Sequence, residues 1–210
     1  MAFLVAAGEG EFAIDLRRHG YHGRIVSFEP VPDTYSHLSQ RAAHDRQWVT
    51  YNLALGAEAG TLPMQVPGMS TISSLSSFHA ASQHGLQPFP GPHNATRHAL
   101  SIERLDAVFA ESVVGLANPR VYLKMDTQGW DLEVLKGAAG CLDYILALQS
   151  EMAVWPLYEG SPDYTEAVPF IRNLGFEIST IVPGYRDSDR QDLQLVEFDC
   201  VRVRPGATQH

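Results

Sequence analysis

Cysteine is scarce. Cys141 and Cys200 are the two in 210 residues, and they lie far apart. That excludes a disulfide framework and a CxxC zinc motif, and a reduced, cytoplasmic setting is expected. Positive charge is also thin: 15 Lys and Arg stand against 24 Asp and Glu, a net charge of −9. So acidic a chain lacks the broad footprint that binds phosphate backbones, and no nucleic-acid partner is expected. No apolar run reaches the roughly 18 residues of a membrane span. The opening MAFLVAAGEGEF has no basic segment ahead of its short apolar run, so neither a membrane partner nor a signal peptide is expected. Certain motifs are missing too. There is no HExxH, no GxSxG around Ser73 and Ser74, and Gly8-Glu9-Gly10 is followed by Ala13 where a nicotinamide fingerprint needs glycine.

What is present is an ordinary globular composition, 45% apolar and 19% charged, in a length that suggests one domain over 1–210. Short apolar runs alternate with stretches of helical period. Strands are predicted at Phe3–Ala7, Arg24–Glu29, Trp48–Leu55, Arg120–Asp126, Tyr144–Met152, Phe176–Val182 and Leu193–Val203. Helices are predicted at Glu11–His19, Asp33–His44, Gly129–Ala139 and Tyr164–Leu174, with a short strand edge and helix over Leu100–Glu111. Leu132, Leu135 and Ala139 are expected to face inward on the third of these helices. The alternation indicates βαβ units, a parallel sheet and an α/β class. Residues 56–98 break the pattern. They are rich in Gly, Pro, Ser and His, carry a possible short strand at Thr61–Val66, and read as a loop-rich insertion on the substrate side. Its His79, His84, His93 and His98 have no metal-ligand spacing, and a substrate contact is the functional alternative. Trp130 and Trp155 are read as packing residues.

In open α/β sheets, ligands bind beyond the carboxyl ends of the strands. Four features fall there. Gly8-Glu9-Gly10 forms a turn into a helix whose free N–H groups suit an anionic group. Glu29 ends the second strand, 19 residues after Gly10, where an acid accepts from a ribose diol. Asp126 ends a strongly apolar strand and precedes a helix, which makes it either a cleft-floor carboxylate or a helix cap. Glu151 lies on the next strand. Asp126 and Glu151 could share a divalent cation, divide acid and base roles, position a hydroxyl, or pair with Lys124 as plain structure.

Lys124-Met-Asp-Thr-Gln-Gly-Trp-Asp-Leu-Glu-Val-Leu-Lys-Gly137 resembles the K-x-D-x-E-G-x-E-x-x-V-L-x-G signature of FkbM-like methyltransferases. Ile25-Val-Ser-Phe-Glu-Pro30 resembles that family's second strand, and Asn52-Leu-Ala-Leu-Gly56 its N-x-A-L-G segment. Leu157-Tyr-Glu-Gly160, Gly175-Phe176 and Glu197-Phe-Asp-Cys-Val-Arg202 follow in the family's order. The resemblance implies a Rossmann-like class I sheet, mostly parallel with an antiparallel last strand and helices on both faces. It implies S-adenosylmethionine as cofactor and methyl transfer to a hydroxyl on a sugar, polyketide or other small molecule. It places Gly8, Gly10 and Phe12 in the first cofactor motif, with the two glycines against the methionine half. It places Glu29 and Pro30 at the ribose, and Asn52 and Ala54 near the adenine. Asp126 falls at the reacting centre, with Glu151 as a second catalytic candidate. Three positions depart from the family pattern. Leu4 stands where an acid is usual, Ala6 where the first glycine is usual, and Gln128 where Glu is more frequent. Those departures carry the alternative reading, a catalytically degenerate or N-terminally truncated binding module.

Overall fold

The structure is a computed structural model that describes residues 1–66, 96–156, 160–184, 186–187 and 194–206. Its centre is a seven-stranded sheet. Strands β1 (Ala2–Val5), β2 (Ile25–Phe28) and β3 (Trp48–Tyr51) form one half. Strands β7 (Val121–Met125), β8 (Ile145–Ala153), β9 (Glu177–Pro183) and β12 (Glu197–Val203) form the other. The order is β3-β2-β1-β7-β8-β12-β9. All pairs from β3 to β8 are parallel, and β12 runs antiparallel to both β8 and β9. The strand order therefore reverses between β1 and β7, which opens a crevice at their carboxyl ends. The mostly parallel sheet and its antiparallel final strand agree with the expectation from sequence.

Alternation along β1 shows how the layers form. Phe3 and Val5 point to one face and Ala2 and Leu4 to the other, and all four are buried. On the Phe3 face the sheet packs against α3 (Leu105–Ser112), α4 (Asp131–Gly137) and α5 (Tyr164–Asn173), through Leu105, Phe109, Val134, Leu135, Ala167 and Ile171. On the Leu4 face it packs against α1 (Glu11–Arg18) and α2 (Pro32–Ala42), through Ala13, Leu38 and Ala42. Helix α1 carries Glu11 in its first turn and Arg17 and Arg18 in its last, each charge matched to the helix dipole. Burial on both faces is what a parallel sheet requires, and it explains why these strands read as unbroken apolar runs.

Three expectations are corrected. The predicted strand Trp48–Leu55 is two strands. The amide Nδ2 of Asn52 donates to the carbonyls of Glu29 (2.8 Å) and Pro30 (3.1 Å), and the chain leaves the main sheet there. β4 (Ala54–Leu55) then pairs with β6 (Thr96–Glu103), which also pairs antiparallel with β5 (Gly60–Val66) in a separate three-stranded sheet. Both ends of the expected loop-rich insertion are thus ordered ribbon. Its centre at 67–95, with Ser73, Ser74, His79, His84 and His93, lies outside the described residues, as do 157–159 of the Leu157–Gly160 landmark. The predicted last strand is likewise divided. β11 (Gln194–Leu195) pairs with β10 (Arg186–Asp187), and β12 begins after Val196. Finally, α4 ends at Gly137, so Ala139 is exposed rather than inward-facing. A Cβ on Gly137 would collide with the carbonyl oxygen of Gly56, so helix and loop approach as closely as they do because position 137 has no side chain.

Candidate functional site

The crevice at the carboxyl ends of β1, β2 and β7 holds a cleft of about 600 Å³, within the size range of small-molecule and cofactor sites. Its floor is Leu4 to Gly8, one wall is Glu29, Pro30 and Leu53 to Leu55, and the other is Lys124 and Asp126 to Gln128. Phe12 and Asp15 of α1 reach in from the side. Of the residues singled out in the sequence, Gly8, Phe12, Glu29, Pro30, Ala54 and Asp126 line this cleft. Gly10, Asn52 and Glu151 do not.

Glu29 is 4% exposed. Its Oε2 accepts from the Gly8 N–H at 2.9 Å and its Oε1 from the Val31 N–H at 3.0 Å. Burial pushes its carboxyl up to about 7, against the pull of those two donors. The acid therefore ties the glycine turn to the end of β2 while lining the cleft. Asn52 acts behind it, holding the backbone that presents Glu29.

Gly10 has a different job from the one its motif suggests. It sits at the N-cap of α1 with φ 95°, and a Cβ there would lie 2.7 Å from Cη2 of Trp48. It lets the turn close onto the sheet rather than touching the cleft. Ala6, in place of the usual glycine, still adopts the left-handed conformation at φ 53°. Leu4 is buried on the α1 face, so no carboxylate stands at that position.

Asp126 leaves β7 with its side chain 41% exposed, and Lys124 Nζ lies 2.7 Å from its Oδ2. Lys124 is itself 14% exposed and sits 5.3 Å above the Phe12 ring. Asp126 does not cap the following helix. The acid at the start of α4 is Asp131, which accepts from the N–H of Thr127 (3.1 Å), from the Thr127 hydroxyl, and from Ser150 Oγ (2.6 Å). Burial raises the Asp131 carboxyl, and those donors oppose the rise. Sequence reasoning missed Asp131; the available signal was an acid four positions after Thr127 in the first turn of a helix.

Glu151 faces a neighbouring cavity of about 30 Å³, together with Ser150, Ser161 and Glu197. Desolvation, with Asp126, Glu197, Asp131 and Asp199 nearby, pushes its carboxyl up to about 9. Between Asp126 and Glu151 stands Gln128, whose Nε2 lies 2.9 Å from Glu151 Oε2 and 3.4 Å from Asp126 Oδ1. A divalent cation needs deprotonated oxygens converging on one point. Here an amide donor fills the gap between the two acids. The pair does not fit a divalent cation, and no cluster of three His, Cys, Asp or Glu side chains suited to a metal occurs among the described residues. No helix among them is long and apolar enough to cross a membrane.

The comparisons with known proteins agree with this geometry. The sequence pattern described as the methyltransferase FkbM domain matches residues 5–178. The fold is similar to that of the methyltransferase FkbM from Methylobacillus flagellatus KT, with TM-score 0.53 and 13% identity, over 96% of this chain and 42% of that one. It is similar to Aeropyrum pernix fibrillarin in complex with natively bound S-adenosyl-L-methionine, with TM-score 0.50 and 12% identity, over 96% of this chain and 65% of that one. A putative S-adenosylmethionine-dependent methyltransferase from Listeria monocytogenes matches with TM-score 0.51 and 8% identity, over 97% of this chain and 90% of that one. No curated protein matches the sequence. The chain thus spans about two fifths of the Methylobacillus protein and about two thirds of the fibrillarin. The FkbM pattern runs through both halves of this sheet, and the chain belongs to the methyltransferase FkbM family.

Proposed function

We propose that this chain transfers a methyl group from S-adenosylmethionine to a hydroxyl oxygen of a small molecule, a sugar or polyketide being the acceptor class in view. The observation that carries the reading is Asp126, a half-exposed carboxylate on the wall of the same cleft that Glu29 enters from the other side. S-Adenosylmethionine supplies an electrophilic methyl on a sulfonium sulfur. The cleft fits it by chemistry as well as size: Glu29 presents a carboxylate to a ribose diol, the Ala54 side offers apolar surface to the adenine, and the Gly8 turn leaves room for the amino-acid end.

The chain's own part in the reaction is alignment and proton management. Asp126 would accept a hydrogen bond from the acceptor hydroxyl and take its proton onto a carboxylate oxygen, while the methyl–oxygen bond replaces the methyl–sulfur bond of the cofactor and a neutral thioether leaves. Lys124, 2.7 Å away, orients that carboxylate. Positioned base catalysis of this kind is worth roughly 10²–10⁴-fold.

The test is calorimetric titration with S-adenosylmethionine and its demethylated product, followed by a panel of hydroxyl acceptors. Asp126→Asn should retain cofactor binding and lose turnover by about 10²-fold or more. Full turnover in that variant would remove the base role. Absence of cofactor binding by the folded wild type would favour a degenerate binding module.

A further inference from the structure

We infer that Gln128 is the positioning residue of the transfer site: its amide ties Asp126 to Glu151 and so holds the Asp126 carboxylate toward the cleft. The role rests on the reading of Asp126 as partner to the acceptor hydroxyl. One amide nitrogen stands within reach of two carboxyl oxygens that arrive from different strands, 2.9 Å from Glu151 and 3.4 Å from Asp126. Lys124 on Oδ2 and Gln128 on Oδ1 hold both oxygens of Asp126, which lines the cleft.

The backbone is arranged to aim this side chain. Gln128 has φ 53° and Gly129 has φ 90°. A non-glycine residue in that region is strained and persists only where its surroundings hold it. They do so on both sides: Thr127 is bonded to Asp131, and Ser161 packs on Gly129 where a side chain would be.

The amide is also the right chemistry for the position. Glu151 is faced by Asp126 beyond β7, by Asp131 on α4 and by Glu197 and Asp199 on β12. A glutamate at 128, which the family signature more often carries, would insert another carboxylate between the two. Glutamine supplies two donors instead. Glu151, whose carboxyl is pushed up by burial and by the acids around it, then serves as a fixed anchor, while Asp126 pairs with Lys124.

The signature is spectroscopic. In the full chain labelled with ¹⁵N, the side-chain amide of Gln128 is assigned by its loss in Gln128→Ala. Each of its two protons is bound to one carboxyl. Asp126→Asn should therefore move one proton resonance, Glu151→Gln the other, and raising the pH through about 9 should move the Glu151-bound proton in the wild type. In Glu151→Gln that pH response should vanish. Once an acceptor is in hand, Gln128→Ala should lower kcat about tenfold with KM for the cofactor unchanged. An amide signal that ignores both carboxyl variants and the pH would overturn the inference, and so would a kcat equal to wild type. If Gln128→Ala does not fold, the two carboxyl variants and the pH series decide by themselves. Failure of the wild type to bind cofactor would overturn the proposed function while leaving the tether measurable.

Discussion

Replacing Glu29 by Gln tests the buried acid on which the cleft depends. The folded protein holds the Glu29 proton up to about pH 7, whereas the ordinary glutamate value is 4.5. Between those two pH values the native state carries a proton that the unfolded chain has released, so stability falls as pH rises. The contribution is fully present below pH 4.5 and is lost as the pH passes about 7. That displacement corresponds to about 3 kcal/mol, at about 1.36 kcal/mol per pH unit. Glutamine cannot titrate. It also turns an NH₂ toward the N–H of either Gly8 or Val31, a cost of about 1–3 kcal/mol that does not depend on pH. Urea unfolding of both proteins between pH 4.5 and 8.5 should thus give curves that differ in slope. The stability advantage of wild type over Glu29→Gln should shrink by about 3 kcal/mol across the range. The same linkage reaches the cofactor. A ribose diol donates to the charged carboxylate, so calorimetry near pH 7 in two buffers of different ionisation enthalpy should report proton release on binding. Parallel stability curves, or binding without proton release, would refute the argument.

Two further substitutions probe the scaffold. Gly10→Ala adds a methyl 2.7 Å from the Trp48 ring at φ 95° and should cost about 2–3 kcal/mol in denaturant unfolding; a loss below half that would mean the turn relaxes freely. Arg202 is 1% exposed, and its Nε and Nη2 have no hydrogen-bond partner among the described residues. Arg202→Met should therefore raise the unfolding free energy by about 1–3 kcal/mol, and a lower stability would show that the guanidinium is compensated.

Much of this was readable because the strands end where their chemistry begins. The apolar runs ending at Glu29 and Asp126 are enough to place both acids at the crevice. The illegible parts depend on partners distant in the chain. Nothing near Asn52 announces that its amide will capture two carbonyls of the preceding strand end and split the expected strand. Gly10 looked like a ligand-facing glycine because its neighbour in space, Trp48, is not its neighbour in sequence. Glu151 was placed correctly on the adjacent strand. What could not be read was that its side chain enters a separate small cavity, or that Gln128, noticed only as a missing acid, would fill the space between it and Asp126. Asp131 was hidden by its brighter neighbour, since two acids flank the same loop and only one of them leaves the core.

The contact between Gly10 and Trp48 has an optical consequence. The Trp48 indole donates to Ser27 Oγ at 2.9 Å and lies against the turn that leads from the cleft floor into α1. Any adjustment of that turn when a ligand enters alters the polarity and collisional environment of a shielded fluorophore. Trp130 stands beside Gly56, which follows the Leu53 to Leu55 wall in the chain. The protein therefore carries intrinsic reporters packed behind two of the segments that lead into its crevice. Emission and quenching measured on single-tryptophan versions would show which segment moves first, with no label attached.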